Sequence, residues 1–149
     1  MTTTYVEAID EMFSLFNDAW LGQSAAVVSH VPVVRWPGVE EPGTPDAAKF
    51  WARVSQQTVL EEQSTISDDN GKRRYTASGL IFVQLFCPKS EPAAMENGRK
   101  LAVIARNSFR GKTTSGKVWF RNARINELAP EESAYRFNVV AEYEYDEVN

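Results

Sequence analysis

The stretch Gly79-Leu80-Ile81-Phe82-Val83-Gln84-Leu85-Phe86-Cys87 decides the fold. Successive side chains of a strand point to opposite faces, and here both sets are apolar, which predicts a central strand covered on both sides. Upstream lies Ser67-Asp68-Asp69-Asn70-Gly71, whose short polar side chains and terminal glycine suit a tight reversal. Before that turn, Phe50, Ala52 and Val54 share one face of a second extended run. Residues 50–64 and 74–87 are therefore expected as the two arms of a long antiparallel hairpin.

Downstream, residues 134–146 alternate, with Tyr135, Phe137, Val139, Ala141, Tyr143 and Tyr145 on one face. Arg136, Asn138, Glu142, Glu144 and Asp146 lie on the other, the pattern of a half-buried antiparallel strand. Residues 117–128 are its expected hairpin partner, joined through Ala129-Pro130-Glu131-Glu132-Ser133. Between the hairpins the spacing predicts a helix over 92–110 that buries Leu101, Ile104, Ala105 and Phe109. Ser90 is its expected N-terminal cap, Glu96 and Lys100 stand one turn apart, and Gly111 occupies the position of a left-handed C-terminal cap.

At the start of the chain, Val6, Ile9, Phe13, Phe16 and Trp20 recur at helical steps. Thr4 and Glu7 have capping-box spacing, and Gly22 is the expected stop. Ala25-Ala26-Val27-Val28 and Val33-Val34-Arg35-Trp36 are expected as short extended pieces, followed by a proline- and glycine-rich loop over 37–46. The order helix, short strand, hairpin, helix, hairpin predicts one α+β domain over 1–149. Its mainly antiparallel mixed sheet should have about four or five strands, with two principal helices packed on it.

A chain of 149 residues fits one domain and can bury a core without cross-links. Its single cysteine, Cys87, excludes an internal disulfide framework and points to a reducing compartment. No run approaches the roughly 18–20 apolar residues of a membrane span. Met1-Thr2-Thr3-Thr4-Tyr5 has no basic-then-apolar pattern, so no secretory leader is expected. A net charge of -4 and a pI near 5.1 argue against general nucleic-acid binding, which calls for a basic surface.

Reactive motifs are few. Gly111-Lys112-Thr113-Thr114-Ser115-Gly116-Lys117 matches the first seven positions of a phosphate-binding loop, but the eighth, which must supply a hydroxyl for magnesium, is Val118. The context is also reversed, because such a loop leaves a strand and enters a helix, whose start binds the phosphate. The plainer reading is a helix cap followed by a flexible basic turn. His30 is the one histidine, and with a single distant cysteine it cannot complete a four-ligand zinc site. Cys87 sits in an apolar run without a flanking base and reads as a small buried hydrophobe. The carboxylates at 142, 144, 146 and 147 read as a solvated strand face, while a carboxylate pair elsewhere stays open. No catalytic residue, metal or cofactor is expected.

Charge is informative in its distribution. Arg99 to Arg124 holds eight basic residues and no acid, whereas Glu127 to Asn149 holds seven acids against one base, Arg136. Glu7, Asp10, Glu11 and Asp18 give the first helix an acidic character with no base. Two readings stand side by side. Separated poles suit head-to-tail contact between copies, which closes into a ring when the rotation permits. Alternatively, Arg121 and Arg124 lie opposite Glu142 and Glu144 within one subunit.

Several stretches together carry a resemblance. They are Asn17-Asp18-Ala19-Trp20 at the end of the first helix, Arg35-Trp36-Pro37-Gly38, Trp51-Ala52-Arg53-Val54, the run from Arg74 to Pro88, and the basic helix to Phe109. The most specific is Gly116-Lys117-Val118-Trp119-Phe120-Arg121-Asn122-Ala123-Arg124-Ile125-Asn126-Glu127, with Phe137 to Glu147 after it. In these the chain resembles the tail terminator proteins of long, non-contractile-tailed (lambda-like, siphovirus) phages. The resemblance implies a homo-hexameric ring that docks on the completed tail tube, stops its polymerisation and presents its other side to the head-completion or neck protein. It further implies that genome DNA passes through the pore without sequence-specific binding, that no cofactor or membrane is involved, and that the protein resides in the virion neck after assembly in the host bacterial cytoplasm.

On this reading the hairpin tip, Asp68, Asp69, Asn70, Lys72 and Arg73, is expected to make axial contact with tube or neck. Arg99, Arg106 and Arg110 of one subunit are expected to meet Glu7 and Glu11 of the next, and Lys112 and Lys117 join the candidate contacts from the basic turn. Three other readings remain. A head–tail joining protein shares size and acidity, and differs in that it does not cap growing tubes. A small enzyme would use a carboxylate pair or the 111–117 turn. A ligand-binding domain would require an enclosed apolar pocket.

Overall fold

The structure is a computed structural model that describes residues 2–39, 46–65 and 71–149. In chain order it contains α1 (Tyr5–Gln23), α2 (Ala25–Val28), β1 (Val33–Arg35), β2 (Trp51–Gln63), β3 (Arg74–Pro88), α3 (Ala94–Phe109), β4 (Trp119–Glu127) and β5 (Ala134–Val148). The strands form one five-stranded sheet in the order β1-β2-β3-β5-β4. Only β1 and β2 run parallel, and the other neighbours are antiparallel. This is the expected α+β class, with both hairpins in place. The expected turn residues Ser67, Asp68, Asp69 and Asn70, and loop residues 40–45, lie outside the described residues.

β3 is central, as its composition predicts. Its register with β5 runs unbroken from Arg74↔Val148 to Pro88↔Ala134. One face carries Ala77, Ile81, Val83, Leu85 and Cys87, all buried against the same core as α1 and α3. On the opposite face Leu80, Phe82 and Phe86 are half-buried. The expected cover on both sides is thus corrected: α1 and α3 gather on the Ile81 face. An apolar run shows that a face avoids water without showing whether a helix of the same chain lies over it.

In α1 the capping box forms. The Glu7 amide donates to Thr4 Oγ1 at 3.2 Å and the Thr4 amide to Glu7 Oε2 at 3.5 Å. The buried row is Ala8, Met12, Phe16 and Trp20, with Ile9 and Phe13 beside it. Val6, expected in that row, is 65 % exposed. Two residues subtend about 200° of helix, so Val6 faces away from Ala8. Gly22 does not stop the helix either. The chain turns at Ser24, whose hydroxyl and amide both donate to the Trp20 carbonyl, at 2.6 and 3.1 Å. Ala25–Val28 then forms the helical turn α2 where an extended piece was expected, and Ser29 closes it at φ 69. Trp20 Nε1 donates to the Pro32 carbonyl at 3.0 Å and fixes the chain as it enters β1.

In α3, Ser90 does not cap. The helix begins at Ala94 after Ala93, which sits at φ 54 with no side-chain cap. Glu96 and Lys100 pair at 3.5 Å, and Gly111 is left-handed at φ 68 as expected. Gly98 lets α3 approach the sheet closely, since a Cβ there would meet the Phe137 ring at 2.5 Å and Cys87 Sγ at 2.8 Å. Phe16 of α1 stacks on Phe109 of α3, with ring centroids 6.4 Å apart, which closes the core between the two helices.

Candidate functional site

The 111–117 turn is built from its own hydroxyl chemistry. The Thr114 amide donates to the Val118 carbonyl at 2.9 Å, and the Val118 amide donates to Thr114 Oγ1 at 3.0 Å. The turn holds an anion supplied by the protein itself. Glu11 Oε1 accepts the Gly116 amide at 2.6 Å and the Ser115 hydroxyl at 3.0 Å. Burial alone would push the Glu11 carboxyl up. Hydrogen bonds from the Gly116 amide and from Thr114, Ser115 and Thr3 outweigh that, and the group lies below its ordinary range. A Cβ on Gly116 would collide with the Glu11 carboxylate, which would have to shift to make room.

Other expected contact residues also find partners inside the subunit. Glu7 Oε2 accepts the Thr3 hydroxyl at 3.3 Å in addition to its capping bond. Arg99 makes a two-pronged bond to Glu127, Nε to Oε1 at 2.7 Å and Nη2 to Oε2 at 3.4 Å. That hydrogen bond lowers the Glu127 carboxyl and raises the Arg99 guanidinium. Arg106 Nε donates to Asn107 Oδ1 at 3.2 Å, and Arg110 Nη2 donates to the Ala123 carbonyl at 3.2 Å, where β4 bulges. Glu7, Glu11 and Arg99 each therefore have a hydrogen-bond partner within the subunit. Residue spacing cannot reveal bonds such as Glu11–Ser115, which join positions 104 apart.

At the hairpin end, Lys72 is exposed, and Arg73 Nη1 donates to the Gly71 carbonyl at 3.0 Å. Asp68, Asp69 and Asn70 lie outside the described residues. On the outer sheet face Arg121 and Arg124 converge on Glu142, at 3.7 and 3.3 Å, so for this carboxylate the intra-subunit reading holds. Glu144 lies opposite Trp119 instead. Two guanidiniums share one carboxylate, and Lys112 and Lys117 stand exposed nearby, so the β4 flank stays basic.

The opposite flank is one that the sequence reading missed. β1 covers only Trp51 to Arg53 of β2. Beyond it Val59 sits at a break in the β2–β3 register, and Val59 and Leu60 are 63 % and 49 % exposed, followed by exposed Glu61 and Glu62. The signal was present, because Val59-Leu60 interrupts the alternation that holds from Phe50 to Val54. On the outer face Trp51 and Phe86 stack at 4.0 Å, with the Arg53 guanidinium 5.4 Å from the Trp51 ring. Among the described residues no group of three or more His, Cys, Asp and Glu is placed to hold a metal ion. Cys87 is buried, and desolvation pushes its thiol up to about 12.

No family model matches the chain. No curated protein matches it either. Several solved structures share the fold, among them two that align over most of the chain. One aligns with a TM-score of 0.53 at 17% identity, covering 89% of this chain and 94% of that one. The other belongs to the virion of a native gene transfer agent particle. It aligns with a TM-score of 0.52 at 14% identity, over 97% of this chain and 100% of that one.

Proposed function

We propose that this chain is a structural protein of a phage-like virion, a tail terminator that forms a six-subunit ring, caps the completed tail tube and presents the surface on which the head or neck attaches. The observation that carries this reading is the fold likeness to a chain of a gene transfer agent virion, which extends over essentially the whole of both chains. The stretches from Arg74 to Pro88 and from Gly116 to Glu127, whose pattern resembles tail terminators, form the central strand and the basic flank of that same fold. Opposite charge on the two sheet flanks adds support, because a ring subunit must offer two different surfaces to its neighbours.

In this reading the work is done by surfaces, with the α+β core as the rigid scaffold beneath them. The tube and neck partners meet the axial ends of the ring, with the β2–β3 hairpin end as one contact, and DNA passes the pore without base-specific contacts. The test is native mass spectrometry with negative-stain imaging. A ring of six times the 16.8 kDa chain is expected, seen alone or on tube ends. A protein that stays monomeric both free and in the presence of tail tubes would overturn the reading.

A further inference from the structure

We infer that successive subunits join flank to flank, the open β2 edge of one copy docking against the basic β4 flank of the next. This rests on the ring reading above and names the surfaces that would close it.

The first surface is an unpaired edge. β2 pairs with β1 only from Trp51 to Arg53, so among the described residues Val54 to Gln63 has no strand on its outer side. An open edge of that length with exposed apolar side chains is a template for another chain. Val59, at the bulge, stands with Leu60 and half-exposed Tyr5 in a shallow depression that Thr58, Glu61 and Glu147 also line. Its rim is acidic, since Glu61 and Glu62 are exposed and make no ion pair among the described residues. Arg74, on the neighbouring strand, is engaged by Asp146 at 2.9 Å.

The second surface is its complement. On the far flank Trp119 is 40 % exposed, with the Arg121 guanidinium 5.3 Å from its ring. Lys112 and Lys117, in the turn that precedes β4, are exposed and make no ion pair among the described residues. Each flank thus sets exposed apolar side chains beside charge: Glu61 and Glu62 on the β2 side, and Arg121, Lys112 and Lys117 on the β4 side, where Glu144 opposite Trp119 is the acid among them. A two-fold contact of the β2 flank with itself would set Glu61 and Glu62 against their own copies. Charge complementarity therefore favours the β4 flank of a second copy as the occupant, a head-to-tail contact that closes into a ring.

The test is a charge swap read by sedimentation, with circular dichroism to verify folding. Glu61→Lys with Glu62→Lys gives a chain with two basic flanks, and Lys112→Glu with Lys117→Glu gives one with two acidic flanks. Each alone is expected to assemble at least about tenfold more weakly than wild type. An equal mixture is expected to recover the ring, because the two variants then alternate. If wild type forms rings and both variants keep the full ring mass, the inference is overturned while the ring reading stands. If wild type forms no ring alone or on tubes, both fall. Should a swapped chain misfold, Val59→Cys and Trp119→Cys chains replace it. Buried Cys87 stays silent, and oxidation is expected to link the two chains when mixed and neither by itself. Dimers from Val59→Cys alone would overturn the proposal.

Discussion

The Gly116 amide donates to the Glu11 carboxylate at 2.6 Å, tying the first helix to a turn more than a hundred residues away. The pairing places a carboxylate inside a glycine-, lysine- and hydroxyl-rich turn whose sequence resembles a phosphate loop. Its anion is already present, as a side chain of α1. The same bond anchors the helix beside the β4 flank.

Replacing Glu11 should expose this link through pH. The carboxyl is held below its ordinary value of 4.5, so the folded state favours the ionised form. Its stabilisation is present above that pH and is lost as pH falls through the folded value. Glu11→Gln should cost about 1 kcal/mol at neutral pH, the scale of a partly exposed charged hydrogen bond. The difference from wild type should be full at pH 7 and shrink at acid pH as the folded-state carboxyl of wild-type Glu11 protonates too. Urea midpoints at the two pH values check this, and equal midpoints at pH 7 would contradict it.

Two glycines of helical segments should respond in opposite directions. Gly98→Ala forces a methyl group into Phe137 and Cys87 and should destabilise by about 1–3 kcal/mol. Gly22→Ala has nothing within 4 Å of its added carbon and should stabilise by about 0.5–1 kcal/mol through helix propensity. Thermal denaturation of the two variants beside wild type separates these outcomes.

How much of this was legible in the sequence depends on how local the cause is. β5 was readable because its alternation has a period of two and half its face is buried. The capping box at Thr4 and Glu7 and the left-handed Gly111 were readable because each involves only neighbouring residues. The buried row of α1 was shifted because Ala8 and Met12, modest hydrophobes, hold positions that Val6 seemed to claim by size. Ser90 was expected as a cap because serine suits that place, yet the chain enters α3 through a left-handed Ala93. The engagement of Glu7, Glu11 and Arg99 within the subunit and the uncovered β2 edge depend on tertiary placement, which spacing does not encode.

Cys87 should be inert. With its thiol pushed up to about 12 by burial, it should resist thiol reagents at pH 8 in the native state and react on unfolding. The folded state holds its proton longer than the unfolded chain, so stability should fall as pH rises from about 9 toward 12. Tyr143 and Tyr145, also raised by burial, act in the same direction. Cys87→Ala should flatten part of that alkaline slope. Labelling of native protein at the rate of a free thiol would contradict the account.

Arg99 separates two views of ring closure. Its bond to Glu127 lies within one subunit, so Arg99→Glu should disturb that pair and leave the mass of the assembly unchanged. Loss of assembly in this variant, read by sedimentation, would return Arg99 to the interface and count against closure through the β2 and β4 flanks.

The most direct measurement is a tube-growth assay, in which tail-tube protein from the same virion polymerises with and without this chain and tube lengths are read by negative-stain microscopy. The account predicts that added chain arrests elongation and that each arrested tube carries a ring at its growing end. Tubes that elongate unchanged, with no ring bound, would contradict it.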